Sequence, residues 1–254
     1  YSDTRMGASM DSYLNGYNDP RLPVYFQPVT DGDNKGEYRG VANGMPNPQQ
    51  DDYKVMSAPN VQEKSTDSPL RWMMASEVAF LRAEGAMRGW TAEMGGTAEE
   101  FYNKGIELSF LENGLSADAA ARYAADETSK PTDFTDVSAA NTKYNISALG
   151  KITIKWNAGA SEEEQLERII TQKWIAMFPN GTEAWSEFRR TGYPLIFPVR
   201  SNYPTSGVDT NKQIRRMVFP QSEYSNNGAA VQEAVKLLGG PDNGGTKLWW
   251  DKKN

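Results

Sequence analysis

Residues 161–194 read SEEEQLERIITQKWIAMFPNGTEAWSEFRRTGYP, and no other stretch constrains the fold as tightly. Ser161 followed three residues later by Glu164 has the form of a capping box, in which each side chain satisfies a backbone N–H left open at a helix start. Glu162, Glu163 and Glu164 add negative charge at the positive end of the helix dipole. Leu166, Ile169, Ile170, Trp174 and Met177 then recur at helical spacing as one apolar stripe, with Glu167, Arg168 and Lys173 largely off it. Pro179 cannot continue the helix, and Asn180-Gly181 supplies a turn. A second helix over about 182–190 is expected to fold back with Trp185 and Phe188 against the first, ending at Gly192 and Tyr193-Pro194. Arg189 and Arg190 fall in its last turn, where cations act as caps or ion-pair partners.

Composition narrows the chemistry. The 254 residues include no cysteine, which removes disulfides, thiol catalysis and thiolate metal sites. They include no histidine either, which removes a Ser-His-Asp triad and an HExxH zinc site. A net charge of −6 lacks the basic footprint of a nucleic-acid binder. No apolar run reaches the length of a membrane-spanning helix. The chain starts at Tyr1 without a secretory leader, so a mature or excised piece of a longer protein is expected.

Residues 1–18 open with a helix carrying Met6, Met10, Tyr13 and Leu14 on one side, stopped at Asp19-Pro20. Residues 18–28, NDPRLPVYFQP, are expected to be extended, with Val24, Tyr25 and Phe26 suited to a strand and Arg21 paired to Asp19. Residues 29–67 form a long loop punctuated by glycine and proline. Within it DGDNKG, at 31–36, half-matches a calcium loop, but Lys35 and Ala42 replace required donors, which makes a solvated turn the better reading. Ser68-Pro69 caps the next helix, in which Ala75, Ala79, Ala83 and Ala86 permit close helix approach. Thr97 and Glu100 form a second capping box, opening a helix with Phe101, Ile106, Leu108 and Leu111 available for burial. Ser116 caps a small alanine-rich helix, and 128–160 is again irregular apart from the alternation of Ile152, Ile154 and Trp156 with polar residues. After Pro194 the chain is extended as far as about 226. Asn227 then caps a last helix that contains Val231, Val235 and Leu238. At least one of Trp249 and Trp250 should dock on the body.

Candidate ligand contacts come from loop composition. Carbohydrate offers C–H faces that pack on aromatic rings and hydroxyls that bond to amides and guanidinium groups. Tyr38, Arg39, Asn43, Gln50 and Tyr53 in the first long loop, together with Trp156, supply those chemistries. A loop that packs its tyrosines inward is the alternative reading, and Trp156 is equally a core ring.

The run QKWIAMFPNGTEAWSEFRRTGYP resembles the C-terminal region of the SusD/RagB family of outer-membrane nutrient-binding lipoproteins. The likeness extends to YLNGYNDPRLPVYF, SEVAFLRAEGAMRGW, RRMVFPQSEYSNN and GGPDNGGTKLWWD, in order and spacing. It implies a mainly α fold, a SusD-like α-α superhelix of tetratricopeptide-like helix pairs with long irregular loops and a few short strands. Residues 1–254 would then be the C-terminal portion of one SusD-like domain. Its helix pairs would lie at about 68–112 and 161–190, and its long loops at 29–67, 128–160 and 193–226.

The resemblance further implies non-catalytic binding of an oligosaccharide at the bacterial cell surface and its delivery to a SusC-like TonB-dependent transporter. A lipid anchor on the N-terminal part would hold the protein at the outer membrane, and no cofactor, metal or nucleic acid is implied. Binding positions vary within the family, so none is carried over by residue. Trp185, Arg189, Arg190, Arg215, Arg216 and Glu223 read as architecture. Peptide uptake of the RagB type, a helical glycoside hydrolase using acids such as Glu77, Glu84 and Glu187, and a protein-binding scaffold are the competing readings.

Overall fold

The computed structural model describes residues 4–45, 50–60, 71–201 and 206–253. In chain order its α-helices are α1 (Ala8–Gly16), α2 (Leu22–Tyr25), α3 (Gln50–Tyr53), α4 (Ala75–Met87), α5 (Thr91–Met94), α6 (Ala98–Glu112), α7 (Ala117–Ala124), α8 (Glu162–Ala176), α9 (Gly181–Thr191) and α10 (Gln221–Leu238). A short 3-10 segment covers Ala139–Tyr144. No sheet forms among the described residues, where β-pairing is limited to isolated bridges such as Phe26 with Pro59 and Phe134 with Ile146. The architecture is the expected mainly α one.

Helix α4 packs most extensively against α6, and α8 lies across both. Ala79, Ala83 and Ala86 are buried along α4, as their size allows, while Ala75 stays exposed. Gly105 of α6 makes the close approach possible: a Cβ there would stand 2.7 Å from the Phe80 ring. The Thr97–Glu100 capping box forms in both directions, at 3.2 and 2.8 Å. The buried face of α6 is set by Tyr102, Ile106, Ser109 and Phe110. Leu111 therefore points outward, contrary to expectation, and Leu108 is only half-buried. Helix α4 begins at Ala75, and residues 71–74 before it are not helical; the expected cap at Ser68-Pro69 lies outside the described residues.

Helix α8 carries the predicted stripe, with Leu166, Ile169, Ile170 and Met177 buried. Ser161 accepts from the Glu164 N–H at 3.2 Å, but the Glu164 carboxylate turns to Arg168 at 2.5 Å instead of closing the box. Arg168 and Lys173, expected off the stripe, are buried because α8 is covered on several sides. Each is paired, as a buried charge requires. Lys173, 1% exposed, bridges to Glu187 at 3.0 Å and to Glu183 at 3.1 Å, so the α8–α9 joint is partly ionic. Phe188 is buried, whereas Trp185 donates from Nε1 to the Ile214 carbonyl at 2.7 Å and so faces the later chain rather than α8.

Three further expectations change. Residues 22–25 form a helical turn rather than a strand, since Pro23 occupies a first-turn position where its missing N–H costs nothing. The last helix starts at Gln221, and Asn227 sits at a kink inside it, with φ −145°. Gln50–Tyr53 interrupts the first long loop as α3. Of the tail tryptophans, Trp250 docks 4.8 Å from the Arg189 guanidinium and Trp249 is 83% exposed.

The main core joins Tyr13, Leu14 and Tyr17 of α1 to Phe80, Tyr102, Ile106 and Phe110, with Ile154, Trp156, Ile169 and Ile170. A smaller cluster, including Val29, Met45, Tyr53, Met56, Phe134, Tyr144 and Phe197, lies beneath the long loops. These loops are therefore packed from below.

Candidate functional site

The six candidate residues do not converge. Tyr53 is buried; its hydroxyl donates to Asp136 at 2.9 Å and accepts from the Asn141 amide at 2.7 Å. Arg39 donates to the Thr135 carbonyl at 2.6 Å and to the Asn34 side chain at 3.2 Å. Both residues thus meet the 135–141 segment, which braces the first long loop. Tyr38 is half-buried against the main core. Gln50 opens α3. Trp156 is 8% exposed and tilts against Tyr102 at 5.2 Å, on the floor of a groove of about 810 Å³ between α6 and α7.

Asn43 stands apart. It is exposed, its backbone carbonyl accepts from the Arg200 N–H at 2.9 Å, and its side-chain amide makes no hydrogen bond among the described residues. It rims a hollow of about 230 Å³. Phe26, Trp174, Phe178 and Phe197 line this hollow, with Ser9 and Arg5 on its polar edge. Phe26 and Phe178 are stacked at a tilt, 4.9 Å between centroids, and Trp174 rests edge-on against Tyr13 at 5.6 Å. Trp174 and Phe178 are only half-buried, so part of each ring remains available. An apolar ring surface beside a spare amide is the pairing a sugar or a similarly amphipathic ligand requires.

Trp174 and Phe178 belong to the hollow, although helical spacing assigns Trp174 to the core stripe. The hollow also draws on residues 4–7, 9, 10, 26, 43, 59 and 196–197, a convergence that local sequence does not encode.

Two of the three acids proposed for hydrolysis, Glu84 and Glu187, are engaged in ion pairs. Glu84 accepts from Arg190 at 2.6 and 2.7 Å and from Arg88 at 2.7 Å. Burial would raise its carboxyl, but these guanidinium groups outweigh that and hold it below the usual range, the reverse of a general acid. Glu187 is bound to Lys173 and to Arg190. Burial raises the Glu77 carboxyl. Among the described residues no group of acids is arranged to hold a metal ion, and no helix is long and apolar enough to cross a membrane.

Comparison with known proteins places the fold. The chain matches the SusD-like family profile, described as Susd and RagB outer membrane lipoprotein, over residues 1–251. No curated protein sequence matches it. Among solved structures, a chitin-binding SusD homologue from Flavobacterium johnsoniae is 44% identical with a TM-score of 0.89, the match covering 98% of this chain and 50% of that one. A SusD-like protein from Bacteroides thetaiotaomicron is 45% identical with a TM-score of 0.89, covering 97% and 50%. A homologue from Bacteroides vulgatus is 39% identical with a TM-score of 0.90, covering 99% and 50%. The chain therefore spans about half the length of the solved relatives it matches. With the profile matched over nearly the whole chain and solved members superposing on its fold, the chain belongs to the SusD-like family of outer-membrane lipoproteins.

Proposed function

We propose that the chain is part of a non-catalytic oligosaccharide receptor of the bacterial outer membrane, which hands its ligand to a SusC-like TonB-dependent transporter. The observation that carries this reading is the hollow lined by both the unbonded amide of Asn43 and the partly open rings of Trp174 and Phe178. Engagement of Glu84 and Glu187 in ion pairs favours binding over hydrolysis. In the full-length protein a lipid anchor would hold this surface at the extracellular face.

A relative 44% identical binds chitin, which makes chitin oligosaccharides the first probes. Calorimetry with these probes is expected to show binding, and Asn43→Ala is expected to weaken it by up to about tenfold, the worth of one good hydrogen bond. Unchanged affinity in the variant would remove the hollow as the site. Failure of a broad oligosaccharide panel together with binding of peptides would replace the glycan with peptide cargo.

A further inference from the structure

A second cavity, of about 540 Å³, opens between the first turns of α8, residues 151–153 and Tyr193. Its lining shares no residue with that of the Asn43 hollow.

The acids of the cleft differ in one respect. Glu163 is held by the Tyr193 hydroxyl at 2.7 Å and by Lys253, and Glu164 is held by Arg168. Glu167 has no hydrogen-bond or ion-pair partner among the described residues, and its Oε1 is sealed from solvent. Glu167 lines the cleft and its other carboxylate oxygen is neither sealed nor, among the described residues, hydrogen-bonded, so a ligand hydroxyl can donate to that oxygen and satisfy a half-buried acceptor. Across the cleft Lys130 and Lys151 are exposed, and their ammonium groups are likewise without a partner among the described residues.

This arrangement selects a ligand class. A cation would meet two lysines, and an anion would meet three carboxylates. A neutral group that both donates and accepts fits both sides, and neighbouring hydroxyls on one ring do so at close spacing. We infer that this cleft is a second saccharide-binding site, in which Glu167 accepts and Lys130 and Lys151 donate hydrogen bonds to adjacent hydroxyls of a sugar ring. The ligand class agrees with the proposed function, but the site rests on its own residues.

Affinity at this cleft depends on pH. Burial pushes the Glu167 carboxyl up to about 7; Arg168 opposes the rise, and Glu164 and Glu163 add to it. The other groups around it are Tyr13 and Tyr17 of α1, Tyr193, and the two lysines. The three phenols are all raised, so they stay neutral near pH 7. Hydroxyl donors favour the ionised carboxylate. Its population rises from about one tenth to about nine tenths between pH 6 and pH 8, so affinity is expected to rise about tenfold.

The test is an NMR titration of the isotope-labelled chain with chitobiose at pH 6 and pH 8, in the wild type and in Glu167→Gln and Lys151→Ala. The expected result is sugar-dependent shifts of the Lys151, Thr153 and Glu167 amides, about tenfold tighter at pH 8. Both variants should weaken them, and the Gln variant should be insensitive to pH. Shifts at Gly7 and Asn43 report the other hollow. If those move while the cleft amides stay silent at both pH values, the second site is overturned and the proposed function stands. If the cleft amides move with equal affinity at pH 6 and pH 8, or unchanged in Glu167→Gln, Glu167 is not the acceptor and the inference fails. Movement in the cleft alone supports this site and refutes the hollow.

Discussion

Arg21 and Asp19 face each other at 2.6 Å at the corner after α1, and neither side chain is exposed to solvent. The same guanidinium donates to Ser109 of α6 at 2.9 Å, to Gln172 of α8 at 3.1 Å and to Tyr123 of α7 at 3.3 Å. It also lies 5.0 Å from the centroid of the Phe110 ring. One cation thus ties the corner to α6, α7 and α8. Removing one member of such a pair leaves the other charge buried and uncompensated. Arg21→Ala is expected to lower unfolding free energy by about 3–5 kcal/mol. Urea unfolding followed by circular dichroism measures it, and a loss below about 1 kcal/mol would show that the pair is dispensable.

Gly105→Ala separates two opposing effects. Helix propensity alone predicts a gain of about 1 kcal/mol. The new methyl would meet Phe80 at 2.7 Å, however, and overpacking costs about 1–3 kcal/mol. Net destabilisation is expected. A more stable variant would mean that α4 and α6 can move apart freely.

Glu167→Gln has a pH-dependent effect on stability. The folded-state carboxyl is raised from 4.5 to about 7, so the folded state holds a proton that the unfolded state has released between those values. Stability is therefore lost as pH rises through that window, and the loss is complete above 7. The Gln variant is expected to be more stable than wild type at pH 8, by roughly 1 kcal/mol after allowing for solvent screening, and to show no such gain below pH 4.5. Thermal melts across this range decide it.

Asp126 works in the opposite sense. Burial would raise it, but hydrogen bonds from Ser129 and Thr128 prevail and lower its carboxyl from 3.8 to about 2. Its contribution is present above pH 3.8 and disappears as pH falls toward 2. Asp126→Ala should be less stable than wild type at neutral pH, with the two converging near pH 2. Parallel curves would assign the loss to something other than this turn.

Removal of the Thr97 cap tests a feature readable from the sequence alone. Thr97→Ala is expected to cost about 1 kcal/mol, since the Glu100 N–H loses its acceptor. Hydrogen exchange at the start of α6 should accelerate before any global change.

The features that were legible in the sequence depend on neighbours in the chain. The caps at Thr97, Ser116 and Ser161, the stop at Gly192, the α8 stripe and the Asp19–Arg21 pair all involve residues a few positions apart. What was hidden depends on distant partners. Lys173 looks like a surface residue until Glu183 and Glu187 fold over it. Leu111 looks like core until Tyr102 and Phe110 are seen to define the buried face of α6. The same holds for the site. Asn43 could be selected because an amide in a glycine-rich loop suits a sugar. Trp174 could not, because its spacing is that of an ordinary core residue and only the tertiary fold leaves part of its ring uncovered.

The contacts of Tyr53 with Asp136 and Asn141, and of Arg39 with Thr135, have a kinetic consequence. They fasten one long loop to another before any ligand arrives. The conformational entropy of those loops is surrendered when the chain folds, not when it meets its ligand. Under the proposed function, such a surface is expected to capture ligand at a rate set by diffusion and orientation rather than by loop closure, with differences in affinity among ligands falling mainly on how fast each one leaves.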